Sequence, residues 1–178
     1  MNGSEKSPAS GLFAELLHPS GRFASRLAGV LRFERAAFAE IEQDPHAIPQ
    51  AFAVVIGTAV VGSLGQGFPG IFLGIAGAIV VWGAATSLVW AISTLALGQV
   101  CPFPRLLRCM GFAYVWFALL IGGNLPFLGF LFNWAAAGLC LVSAVMATRQ
   151  VLEISTERAF AICVISFATP LLLLLLVA

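Results

Sequence analysis

The sequence predicts an all-α, polytopic membrane protein in which five transmembrane helices follow a cytoplasmic amphipathic helix. Composition is the first reason: of 178 residues, 60% are hydrophobic and 10% charged, where soluble domains carry about 45–50% and about 25%. So few polar residues cannot cover so much Leu, Val, Ile, Phe and Ala in water. The second reason is the presence of charge-free apolar runs at 48–64, 71–97, 109–147 and 159–178. The third is that every charge lies outside those runs. The chain divides into a cytoplasmic segment, 1–47, and a membrane domain, 48–178.

The amino-terminal apolar stretch, Leu12 to Leu17, is short and interrupted by Glu15, so a signal peptide is not expected. Asn2-Gly3-Ser4 matches a glycosylation sequon by chance, since the expected topology puts it in the cytoplasm. A helix is expected over about 20–43, starting where the Ser20 hydroxyl can cap free amides. On a 3.6-residue period Phe23, Leu27, Val30, Leu31, Phe38 and Ile41 share one face, with Arg22, Arg26, Arg32 and Arg35 mainly off it. Basic side chains near an anionic membrane surface gain about 1 kcal/mol each. These four arginines, with Arg105 and Arg108, are therefore the candidate contacts to lipid headgroups or a protein partner. Glu40, Glu42 and Asp44 precede Pro45 and Pro49, and read as a solvated stretch that ends the helix.

Crossing roughly 30 Å of hydrocarbon takes about 20 residues. The run 109–147, as one straight helix, would measure roughly 58 Å, so it must fold back. Gly122-Gly123-Asn124-Leu125-Pro126 supplies the break through glycines free to take positive φ and a proline without an N–H. The expected spans are about 48–66, 70–97, 106–122, 125–147 and 159–178. With that count all nine Lys and Arg residues fall on one side, while the turns 65–69 and 122–126 carry no charge. The positive-inside bias then makes the amino terminus cytoplasmic and leaves the carboxyl terminus at the opposite face, with a bacterial inner membrane the expected location.

Within the spans, Gly70, Gly74, Gly77 and Ala78 form a small-residue face for packing inside the chain or, alternatively, a homo-oligomer seam. Asn133 is the most polar group in the apolar runs and is expected to hydrogen-bond a neighbouring helix. The Pro102 and Pro104 loop should place Arg105 and Arg108 where they snorkel to phosphates. Arg149, Glu153 and Glu157, spaced by four, suggest one short helical turn with a weak ion pair and a mild repulsion.

No catalytic, cofactor-binding or metal-binding constellation is legible. The histidines, His18 and His46, lie outside any His-x-x-x-His spacing, and the four cysteines match neither a zinc knuckle nor a redox pair. Near-zero net charge, +1, offers no surface for nucleic acid. No Asp, Glu, Lys or Arg lies inside a run to mark an ion-coupled path. The expected function is therefore non-catalytic, without cofactors, and exercised on membrane lipids or protein partners at the cytoplasmic face. The alternative is a small channel, permease or transporter accessory subunit for an uncharged or lipidic substrate.

The organisation resembles the Yip family of membrane proteins, named for interaction with Rab-type GTPases. The stretches that carry the resemblance are Phe33-Glu34-Arg35-Ala36-Ala37-Phe38-Ala39-Glu40-Ile41 with Asp44-Pro45, then Phe103-Pro104-Arg105-Leu106-Leu107-Arg108-Cys109-Met110-Gly111-Phe112-Ala113, and finally Glu157-Arg158-Ala159. They span roughly Phe33 to the end of the chain and match a compact, bacterial-like form of the family. The resemblance implies a non-catalytic protein of membrane organisation or trafficking that acts through partners.

Overall fold

A computed structural model describes residues 21–99 and 101–177, with side chains as far as Thr169. Seven α-helices follow in order: α1 (Gly21–Leu31), α2 (Arg35–Gln43), α3 (Ala47–Gly62), α4 (Gly67–Leu97), α5 (Phe103–Ala113), α6 (Gly129–Leu152) and α7 (Thr156–Val177). A 3₁₀ stretch, Tyr114–Asn124, continues α5 without interruption. No strand occurs among the described residues. The Ser20 cap, His18, Asn2 and the stretch 12–17 lie outside them.

The single amphipathic helix expected over 20–43 is instead two helices. Glu34 N–H donates to the Gly29 carbonyl at 2.8 Å and Phe33 N–H to that of Val30 at 3.0 Å, the paired bonds that close a helix when the next residue turns left-handed. That residue is Phe33, at φ 56°, where a bulky side chain is normally disfavoured. Its ring is stacked on Trp116, centroids 5.3 Å apart at 12°, which offsets the backbone cost. At the bend, a Cβ on Gly29 would lie 2.5 Å from the Ala37 Cβ, so glycine sets how closely α1 and α2 approach. Together they form a cap whose buried face includes Val30, Ala37, Phe38 and Ile41. Leu31, assigned to that face by periodicity, is 43% exposed, because the helix ends there.

Under the cap, α5 and its 3₁₀ extension make a rod packed between α3 and α6. Helix α7 packs on both α4 and α6, while α4 packs on α3, so α3 to α7 close a ring. Three helical segments are long and apolar enough to cross a membrane: Gly67–Leu97, Phe103–Asn124 and Gly129–Leu152. The five-span count is therefore not carried by length and composition. Helix α3 is apolar but has 16 residues, about 24 Å of helix against the roughly 30 Å of a bilayer core. It stops at Gly62 rather than 66 because Ser63 to Gln66 turns the chain toward α4. The expected fifth span coincides with α7, whose side chains beyond Thr169 lie outside the described residues.

The fold-back lies at 125–128, and its left-handed residue is Phe127 at φ 69°. Gly122 and Gly123 do not take positive φ. They serve close approach instead: a Cβ on Gly122 would sit 2.5 Å from the Phe132 ring, and one on Gly123 2.5 Å from the Asn133 Oδ1. Similarly, Gly74 meets the Ser63 side chain, so the small-residue face of α4 packs on α3 at that point, although Gly77 has no neighbour within 4 Å. Glu153, at φ 52°, ends α6 in the left-handed region. Arg149, Glu153 and Glu157 therefore do not share a helical turn, and no ion pair among the described residues joins them.

Candidate interaction face and intramembrane cavity

The arginines expected to meet lipid or a partner separate into distinct environments. Arg26 is not a headgroup contact: its side chain is only 2% exposed. Its Nε donates to Glu40 Oε1 at 2.9 Å, Nη1 to Gln50 Oε1 at 2.9 Å and Nη2 to Asp44 Oδ2 at 2.7 Å. One guanidinium thus ties α1 to the end of α2 and the first turn of α3. The planar fork suits this, since its fixed donors meet several acceptors at once. Asp44 also accepts the His46 backbone N–H on Oδ1 at 2.9 Å. Burial works to raise the Asp44 carboxyl, but the hydrogen bonds from Arg26 and His46, with their charges, outweigh it and hold the group below its ordinary 3.8.

The acids read as a solvated stretch are thus the counterpart of the arginines. Glu42 faces Arg105 at 3.6 Å, a pair in which the arginine side chain is 52% exposed. Such a contact is worth well under about 1 kcal/mol. Arg108 does not snorkel. It is buried, with Nε donating to the Pro104 carbonyl at 3.0 Å, and its Nη1 is buried without a partner among the described residues. Helix α5, which carries it, packs against α2, α3, α4 and α6. Arg22 and Arg32 are exposed, with Arg32 only loosely near Glu34 at 3.8 Å. Arg35, also exposed, borders a cavity of about 260 Å³ together with Met146, Arg149, Gln150, Glu153 and Ile154. Arg149 was expected in a connecting turn, but it stands in the last turn of α6.

Asn133 does not make the expected interhelical bond. It is exposed, and its amide has no hydrogen bond among the described residues, because it lies over the backbone of Gly123 at the start of α6. The bridging amide is Asn124, whose Nδ2 donates to the Leu64 carbonyl at 3.1 Å. This bond joins the two charge-free turns and puts them on the same side of the bundle.

A second cavity, about 350 Å³, opens between α3, α4 and the 3₁₀ stretch. Sequence reasoning had no sign of it. Tyr114, Phe117 and Leu120 form one wall, and their spacing of three explains why: in a 3₁₀ helix residues i and i+3 eclipse, so all three stand in one column. Small residues of the other two helices, Ala59, Gly62, Gly74, Gly77 and Ala78, make the space. Its polar groups are uncharged, and the Tyr114 hydroxyl is buried without a partner among the described residues. The cavity suits an acyl chain or an uncharged solute with a hydroxyl-bonding group, and nothing in it could hold an ion by charge.

The remaining hydroxyls in the apolar helices mostly bond their own helix: Thr58 to Val54, Thr86 to Trp82, Thr94 to Trp90 and Thr169 to Ile165. All four cysteines are free thiols. Among the described residues no three His, Cys, Asp or Glu side chains are grouped to hold a metal ion. No protein family, curated protein or solved structure matches the chain.

Proposed function

We propose that the chain is a non-catalytic integral membrane protein of Yip type. It acts through lipid or protein partners held at its arginine-bearing face, in membrane organisation or trafficking. The observation that carries this reading is the cap: Arg26 and three acceptors clamp α1 and α2 onto the end of a membrane bundle, while Arg22, Arg32 and Arg35 stay exposed. A folded layer that keeps three arginines exposed at the end of an apolar bundle is suited to docking, not to turnover. In the proposed topology α3 and α7 also cross the bilayer, giving five spans, a cytoplasmic amino terminus and a carboxyl terminus at the opposite face of a bacterial inner membrane. The bond from Asn124 to Leu64 supports it, since both uncharged turns then share the outer side.

The test is to cross-link the protein in native membranes, identify what accompanies it, and assay the purified protein in liposomes for solute and lipid movement. A reproducible partner at the arginine-bearing face and no intrinsic flux is the expected result; specific flux by the pure protein would sink it. The 350 Å³ cavity between α3, α4 and the 3₁₀ stretch favours a second reading. In that reading the protein is a small permease, channel or accessory subunit for an uncharged or lipidic substrate. Flux abolished by Gly77→Phe, which fills the cavity, would establish it over the first.

A further inference from the structure

The cavity bordered by Arg35 and Arg149 lies where the first turn of α2 meets the last turn of α6. Neither arginine has an acid within ion-pair distance among the described residues, although Glu153 lines the same space. Two guanidinium groups against one carboxylate leave the site with an excess of one positive charge. The walls are graded. Met146 lies one turn deeper along α6 and Ile154 is buried, whereas Arg149, Gln150 and Glu153 lie at the helix end. At about 260 Å³ the space is below the usual range for drug-sized ligands, about 300–1,000 Å³.

From these features we infer that the cleft binds the headgroup of an anionic glycerophospholipid. Arg35 and Arg149 hold the phosphodiester, as paired guanidinium groups do well, and its single charge balances the site. The Glu153 carboxylate accepts from a hydroxyl beyond the phosphate, and the Gln150 amide accepts from or donates to it. Met146 meets the first methylenes of the acyl region. A basic pocket between helices at the membrane surface is a known arrangement for headgroup capture. The inference rests on α6 crossing the membrane, as proposed above. It goes beyond a diffuse basic surface by assigning the site to two arginines among the several on this face.

The experiment uses the full chain in nanodiscs of phosphatidylcholine containing about a quarter phosphatidylglycerol, with retained lipid read by native mass spectrometry. Wild type should keep phosphatidylglycerol preferentially. Arg35→Gln and Arg149→Gln should each weaken that preference about tenfold, the loss expected for a charged hydrogen bond. Arg149→Lys, which keeps charge but not the fork, should fall between. Arg158→Gln removes the same charge from an exposed arginine at the start of α7, outside the cavity lining, and should change nothing. Equal weakening by Arg158→Gln would overturn the site in favour of a diffuse field. Displacement of the lipid by millimolar inorganic phosphate would overturn a lipid site in favour of a soluble anion. Release of the protein from membranes by alkaline carbonate would instead overturn the membrane reading, which keeps the two failures distinguishable. Equal thermal unfolding midpoints for the variants exclude misfolding as the cause.

Discussion

Replacing Arg26 with Met should undock the cap while leaving the bundle intact. Met keeps much of the apolar stem and removes the guanidinium, so the loss is mainly polar. The contact to Asp44, whose side chain is 24% exposed, is a charged hydrogen bond worth about 1.5–3 kcal/mol before solvent screening. The Glu40 carboxylate is 48% exposed and can rehydrate, so its share is below about 1 kcal/mol. Gln50 adds about 1 kcal/mol. A net loss of about 3 kcal/mol follows, on the order of a hundredfold in the opening equilibrium. Hydrogen exchange of the full chain in nanodiscs reads it directly: amides of α1 and α2 should exchange about a hundredfold faster, with those of α4 and α6 unchanged. Arg32→Met, at a side chain 75% exposed, should alter nothing. An α1 exchange rate within about threefold of wild type, or an equal rise in every helix, would refute the assignment of Arg26 as the clamp.

Because Asp44 is held below its ordinary 3.8, the stability it contributes is fully present above that value and is lost as pH falls through the lower folded value. Protection of the cap amides, taken relative to the unfolded chain at the same pH, should therefore fall below pH 3.8, and Asp44→Asn should flatten the dependence. Gly111→Ala should lower bundle stability by about 2 kcal/mol in a detergent melt, since the new Cβ would sit 2.6 Å from that of Ala51 and 3.1 Å from the Trp82 ring. Gly57→Ala, with no atom within 4 Å, should be neutral or slightly stabilising. Cys101 should be the thiol labelled fastest by an impermeant maleimide, and only from the arginine-bearing side. Burial, then Glu42, pushes that thiol up, so labelling should quicken as pH rises and Glu42→Gln should speed it at fixed pH.

Helix content and the gross positions of the apolar segments were legible because they depend on summed composition, which tertiary contacts barely change. Positions governed by one backbone torsion were not. The break after Leu31 depends on Phe33 turning left-handed against Trp116, and a phenylalanine carries no local mark of that choice. The same holds at Phe127, where the sequence pointed to Gly122 and Gly123 because they tolerate positive φ, whereas close packing against Phe132 and Asn133 is what they provide. Among the arginines, periodicity placed Arg26 with Arg22, and only the bend of α2 beneath α1 brings Glu40 and Asp44 to it. Both readings of the acids, as solvent-facing or as partners, satisfy the same spacing.

The 3₁₀ stretch was the least legible element, since Tyr114–Asn124 is nearly all apolar and fits any helical period. Runs of this geometry beyond a few residues are uncommon, and its length has a measurable consequence. From Arg105 to Ile121 the rod rises about 28 Å if its second half is 3₁₀, against about 24 Å for an uninterrupted α-helix. Both positions are exposed, at 52% and 49%, so spin labels there leave the core undisturbed. A dipolar distance about 4 Å beyond that of an α-helical standard of equal length is the expected result. An α-helical distance would rotate Phe117 and Leu120 out of register with Tyr114, and the cavity wall they form together could not exist in that state.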